Sequence, residues 1–234
     1  MAHDVEELPV AVTAAISAED LYRFFHIGDT EVRALRGASL TVGKAEVVAL
    51  VGPSGSGKST LLACIAGLDE PDGGRVEVAG RRMTRRPEAE RARLRAEHIG
   101  VLQQSGNLFE HLTVEENVRL SLELARSNGS GRSRQALASV GLADRAKALP
   151  SELSGGESAR AALAVALAAD PAILIADEPT AEVDAETECQ MIELIVGRKH
   201  ARRAALIATH SVALAATADR VYRIADGRIV GGES

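Results

Sequence analysis

Between Gly52 and Ser59 the chain reads GPSGSGKS, a spacing of glycines, lysine and hydroxyl suited to holding phosphate. Glycines let consecutive backbone N–H groups face an anion, and a helix starting near Lys58 adds its positive dipole end. Lys58 reaches terminal phosphates, where its side chain serves ligand charge and not the core, and Ser59 is placed to ligate Mg2+. The flanks suit this reading. AEVVALV is a short buried-strand pattern ending at Val51, and TLLACIAGL follows as a helical one. Gly52, Pro53, Ser54, Gly55, Ser56, Gly57, Lys58, Ser59 and Thr60 are therefore candidates for binding a nucleoside triphosphate.

A second group lies in AILIADEP, where an apolar run ends at two carboxylates, Asp177 and Glu178. Asp177 is suited to hold Mg2+ through water and Glu178 to polarise an attacking water as general base. Alone, the pair reads more simply as an acidic turn capping a strand. A third apolar run, AALIA, ends at Thr209 and His210. Open α/β sheets put ligands at the carboxyl ends of their strands, so three strands would deliver the phosphate loop, the carboxylates and an imidazole to one edge.

A third stretch is LSGGESAR, Leu153 to Arg160. Ser154 and Glu157 form a capping box, enough by itself to explain a helix start. Gly155 and Gly156 in the first turn nevertheless cost about 1 kcal/mol each relative to Ala. Bare amides and a Ser hydroxyl at a positive helix end suit a phosphate brought from outside. Two anion-ready sites in one chain need two ligands, or two molecules sharing one.

The elements that must position these groups are legible in outline. The chain has 234 residues, ordinary for one α/β body. Aromatic residues make up 2% and Trp is absent, so Ala, Val, Leu and Ile must fill the core, as in helices packed on a buried sheet. RALRGASLTV and RVEVAG read as strands in the first quarter. A capping box at Thr113 and Glu116 opens a helix, and SNGSGRS, Ser127 to Ser133, reads as a flexible loop. No internal repeat is visible. The net charge of −6 gives no drive toward nucleic acid, and the seven arginines between Arg81 and Arg95 read as a solvated helix face. Cys64 and Cys189 lack metal-ligand spacing and read as reduced core thiols, which points to the cytoplasm. The longest apolar run, Ala161 to Ala176, is broken by Asp170 and Pro171 and reads as helix into strand, not as a membrane span. The acidic MAHDVEELPV has no signal-peptide character.

Taken together, the motifs resemble the ATP-binding cassette (ABC) family over nearly the whole chain. GPSGSGKST is similar to its Walker A, LSGGE to its signature, ILIADE to its Walker B with catalytic Glu, and His210 to its switch histidine. The wording ADEPT is similar to the branch of MacB and LolD type. The resemblance implies a P-loop NTPase core with a mostly parallel sheet, an N-terminal antiparallel β subdomain and a helical subdomain over about residues 105–165, in one domain spanning 1–234. It makes Glu178, His210, Gln104 and Lys58 catalytic. Gln104 joins Ser59 and Asp177 around Mg2+, with Gln103 where an aromatic often stands, and Phe25 takes the adenine-stacking position, with Phe24 beside it. It implies a head-to-tail homodimer, in which Ser154, Gly155 and Gly156 of one subunit close on the ATP held by the other's Walker A. It also implies a transmembrane permease of MacB/FtsX type, so that the chain is peripheral on the inner face of the cell membrane, with no nucleic-acid partner. The work delivered would be lipoprotein or drug extrusion, or mechanical signalling. Three positions depart from the family pattern: Glu182 for a small or amide residue, Ser211 where Asp usually follows the histidine, and Val165 where Arg is frequent. The alternatives are a soluble cassette acting on DNA or ribosomes, which normally needs a coiled coil, a tandem cassette or a basic surface, and a phosphotransferase, which would not require LSGGE.

Overall fold

The computed structural model describes residues 14–28, 30–127, 129 and 131–233; the acidic N-terminal stretch, and Asn128 and Ser130 of the expected loop, lie outside them. The chain begins with strands β1 (Ile16–Ile27), β2 (Thr30–Val42) and β3 (Val47–Val51), helix α1 (Lys58–Ile65), β4 (Gly73–Val78), the short β5 (Arg81–Arg82), α2 (Glu88–His98) and β6 (Ile99–Leu102). Three helices follow, α3 (Val114–Leu124), α4 (Arg132–Ser139) and α5 (Gly155–Leu167). The chain continues through β7 (Ile173–Asp177), α6 (Ala185–Gly197), β8 (Ala204–Ala208), α7 (Val212–Thr217), β9 (Arg220–Ala225) and β10 (Arg228–Glu233).

Two sheets result. One is antiparallel, in the order β2-β1-β4-β5; the other has the order β10-β9-β3-β8-β7-β6 and is parallel except for β10 at its edge. The central strands read as unbroken apolar runs because both faces are covered. Ile173 and Ile175 of β7 and Leu206 of β8 join the antiparallel sheet and α1 in one core. Leu174, Ala176 and Ile207, one residue out of phase, pack under α5, α6 and α7 in a second. A third cluster joins Val118, Leu137 and Leu142 to Ala161 and Ala164 of α5. Helix α5 thus buries two faces: Leu163 looks to the sheet, Ala161 and Ala164 to α3 and α4. Its run of small side chains lets both neighbours approach, and burying Leu163 alone contributes about 1.5–3 kcal/mol. This is the α/β P-loop architecture with an antiparallel β-sheet expected from the sequence.

Local expectations meet the structure unevenly. Both capping boxes form: Thr113 N–H donates to Glu116 at 2.8 Å and Ser154 N–H to Glu157 at 2.9 Å, each answered by the reverse bond. The loop SNGSGRS is shorter than expected, because Gly131 caps α4 and Arg132 and Ser133 are already helical. Ser133 is buried there and donates to Glu115 at 3.0 Å. Cys64 is buried, which pushes its thiol up to about 12, but Cys189 is exposed on α6 and is not a core thiol. The arginines of α2 are largely paired: Arg91 with Glu70 and Glu88, Arg95 with Glu88, Arg93 with Glu97. No helix among the described residues is long and apolar enough to cross a membrane.

Candidate active site

β3, β8 and β7 are adjacent and parallel, with Leu50 level with Ala208 and Ala208 level with Asp177. Register alone therefore brings three chain exits together. The first is the loop from Gly52 to Gly57, clamped from outside. A Cβ on Gly52 would lie 2.2 Å from the Ile224 carbonyl; one on Gly57, whose φ is +105°, would lie 2.5 Å from that of Ala34. Ser56 O accepts from Gly227 N–H at 2.9 Å. Gly55, at φ +76°, has nothing within 4 Å of where a Cβ would stand and opens outward. The first turn of α1 has no side-chain cap and no acidic residue, so N–H groups at its start are free to receive an anion.

Lys58 is 6% exposed. Its Nζ donates to the carbonyls of Gly52 at 2.8 Å and Pro53 at 3.3 Å, and stands 3.2 Å from His210 Nε2. The ammonium thus ties the loop to itself, a structural part that the sequence pattern did not give it. The same Nε2 therefore stands between an ammonium donor and the carboxylate of Glu178.

The second exit carries the carboxylates. Glu178 has φ +49°, a left-handed conformation that costs a non-glycine residue about 1–2 kcal/mol. Its N–H donates to Ala208 O at 2.9 Å, and its Oε2 accepts from His210 N–H at 3.0 Å. The turn aims the side chain across at β8. Glu178 Oε1 lies 3.3 Å from His210 Nε2 yet is buried with no hydrogen bond, as is Asp177 Oδ1. At the third exit Thr209 Oγ1 accepts from Ser211 N–H at 2.9 Å, and the His210 side chain is 54% exposed.

A cleft of about 470 Å³ joins these exits, lined by Ser54, Gly55, Lys58, Ser59, Gln104, Asp177, Glu178 and His210 together with Thr180, Ala181, Thr209 and Ser211. A second space of about 380 Å³ shares Ser59, Gln104 and Asp177. The orphaned Asp177 Oδ1 beside a hydroxyl and an amide suits a hard cation. No group of three or more His, Cys, Asp and Glu among the described residues is arranged to hold a metal by itself. Gly52, Pro53, Ser56, Gly57 and Thr60 frame the loop behind this cleft. Phe25 lies elsewhere, 36% exposed on β1, with the Arg23 guanidinium 4.6 Å from its ring centre; Phe24 leans on Tyr22 instead. Ser154 and Gly155 are exposed at the start of α5 and, with Gly156, do not line the cleft. Of the positions departing from the family pattern, Glu182 is exposed and Val165 is half-buried against the α3–α4 cluster. Thr180 was not singled out from the sequence, and Thr209 and Ser211, though named, were not expected in the cleft, because single hydroxyls after a strand carry no signal of their own.

Fold and site define a P-loop NTPase whose phosphate loop, two carboxylates and imidazole share one cleft. The sequence profile of the ABC transporter family matches residues 35–181. The chain is 46% identical over 204 residues to the lipoprotein-releasing system ATP-binding protein LolD of Ruegeria pomeroyi, covering 85% of this chain and 89% of that one. It is 38% identical over 217 residues to the macrolide export ATP-binding/permease protein MacB of Chlorobium phaeobacteroides, covering 92% of this chain and 33% of that longer one. A dimeric ATP-binding cassette in a post-hydrolysis state bound to ADP and Pi superposes with a TM-score of 0.90 at 31% identity, covering 94% of this chain and 98% of that one. The chain belongs to the ABC transporter family, in the branch of MacB and LolD type, and is its ATP-hydrolysing cassette.

Proposed function

We propose that two copies of this chain close head to tail around two Mg-ATP and reopen on hydrolysis, driving a separate transmembrane permease of MacB/FtsX type. The observation that carries the composite site is the separation within one chain: the cleft has its loop, carboxylates and imidazole, while Ser154 and Gly155 are exposed at the start of α5, outside it, and Gly156 packs toward Thr187 of α6. A phosphotransferase needs no such second site.

In this reading the backbone of Ser54 to Ser59 cradles the phosphates, and Lys58 turns its Nζ from the Gly52 and Pro53 carbonyls to the triphosphate. Ser59, Asp177 and Gln104 would hold Mg2+, which would neutralise phosphate charge. Phe25 stacks on adenine. The free Glu178 Oε1 takes the proton of the attacking water while Oε2 stays anchored by His210 N–H, and His210, released by Lys58, turns a ring N–H to the terminal phosphate. Permease contact is supported by an apolar groove of about 860 Å³ beside Gln103, lined among others by Leu68, Ala92, Ile99, Phe109, Leu120 and Leu124. Phe109 and Leu124 are 55% and 67% exposed there, a surface suited to a partner. The LolD relatives favour a lipidated protein as cargo, and the chain would sit on the inner face of the membrane through the permease.

The test is Glu178→Gln. It should retain ATP binding and lose turnover by about 10²- to 10⁴-fold, with Mg-ATP then holding a dimer on gel filtration. Only monomer, or turnover near wild type, would contradict the assignment.

A further inference from the structure

Glu188 lies in the first turn of α6. Its Oε1 accepts two hydroxyl hydrogen bonds, from Ser211 Oγ at 2.6 Å and Thr180 Oγ1 at 3.2 Å. Ser211 follows His210 directly; Thr180 stands two residues after Glu178. One carboxylate oxygen thus gathers the exits of β7 and β8 at the point where each has just presented its reacting group. The Ser211 hydroxyl also accepts from Leu214 N–H at 3.1 Å, so the same oxygen that gives its proton to Glu188 caps α7.

Glu178 needs such support. A left-handed backbone at a non-glycine residue persists only where surroundings over-determine it, and its own bonds reach only Ala208 and His210 at the exit of β8 and Ala181 in its own turn. Helix α6, packed on the sheet through Met191 and Ile195, is the rigid body on the other side. Ser211, which follows the histidine directly, is thereby held to a neighbouring helix by a carboxylate.

We propose that Glu188 is a positioning residue for hydrolysis, holding Glu178 and His210 in register with one another by clamping Thr180 and Ser211 to α6. The inference rests on the reading of Glu178 and His210 given above. Because misplacement of reacting groups by about 1 Å can cost 10²-fold in rate, Glu188→Ala should lower kcat by about 10- to 100-fold and leave the KM for ATP within about twofold. Glu188→Gln, whose amide oxygen still accepts both bonds, should recover most of kcat. Thr180→Val should lower kcat less than Glu188→Ala and add little to it in the double variant, since both remove the same tie.

The experiment is steady-state phosphate release by the full chain with ATP titration and a thermal melt on each variant, beside Glu178→Gln. An inactive Glu178→Gln with an unimpaired Glu188→Ala overturns the clamp and leaves the base assignment standing; an active Glu178→Gln overturns the base assignment itself. Equal losses in Glu188→Ala and Glu188→Gln, or a kcat loss in step with lost ATP affinity and a lowered melting temperature, would also overturn the clamp.

Discussion

Asn117, on α3 and 3% exposed, holds by its side chain the turn that presents Phe109 at the apolar groove. Its Oδ1 accepts from Phe109 N–H at 2.7 Å, and its Nδ2 faces the carbonyls of Phe109 at 3.2 Å, Leu112 at 3.1 Å and Thr113 at 3.0 Å. Two amide protons serve three acceptors, so Asn117→Ala removes three net hydrogen bonds, about 1 kcal/mol each, or about 3 kcal/mol together. For a chain of this length that corresponds to roughly 6–12 °C in melting temperature if unfolding is global. If the loss stays local, faster amide exchange at Phe109 to Thr113 would report it. Asn117→Asp keeps the Oδ1 bond but turns an acceptor toward three carbonyls. Burial beside those carbonyls raises the new carboxyl's pKa in the folded state, so its deficit relative to Asn117→Ala is largest at neutral pH and shrinks as pH falls toward protonation. In function, both variants should keep basal ATPase activity, since Asn117 lies outside the cleft, and lose stimulation by the permease. A melt of Asn117→Ala within about a degree of wild type, unchanged exchange at Phe109 to Thr113 and undiminished stimulation would refute the reasoning.

Lys58→Ala should abolish tight ATP binding and also loosen the loop, because Nζ bridges the Gly52 and Pro53 carbonyls; isothermal titration checks the first and protease sensitivity around Gly55 the second. Three helix starts share an acid-sensitive design. Hydrogen bonds from the N–H groups of Thr113, Ser154 and Thr187 hold Glu116, Glu157 and Asp184 below their ordinary values of 4.5, 4.5 and 3.8. A depressed carboxyl stabilises above its unfolded pKa and loses that stabilisation as pH falls through the folded one. Denaturant midpoints should hold from neutral pH to about pH 5 and then decline, with the combined variant Glu116→Gln and Glu157→Gln declining less steeply.

The site was largely legible because its chemistry is local in sequence. A strand, a glycine loop and a helix follow one another from Val47 to Ile65, and two further apolar runs end in polar groups. That these three runs are neighbours is a matter of sheet order, which sequence suggests only through the sharing of a ligand edge. β6, four residues long, went unread, since a short apolar run after a charged helix has no period of its own. Ser133 and Cys189 were misplaced for a common reason: a polar residue in a Gly/Ser stretch and a thiol in an amphipathic helix take their exposure from packing partners far along the chain. Glu188 was invisible for the same cause, because its partner Ser211 stands 23 residues on; Asn117 bonds only to the turn just before it, at Phe109, Leu112 and Thr113, but an amide in a helical pattern does not announce that it caps its own entrance. The left-handed turn at Glu178 is likewise a product of its bonds to β8, with no glycine to announce it.

The most direct test of the composite site is complementation between a Lys58→Ala subunit and a Gly155→Asp subunit. Gly155 is exposed, and a Cβ there would meet only the Glu182 carbonyl at 3.7 Å, so the substitution is tolerated by the fold and its effect falls on the facing triphosphate. Each variant should be inactive alone. In a mixed dimer both lesions fall on one shared site, and the other pairs an intact phosphate loop with an intact signature. Phosphate release by tag-purified heterodimers should therefore recover well above either parent, toward half the wild-type rate if one working site suffices; heterodimers as inert as both parents would contradict the account.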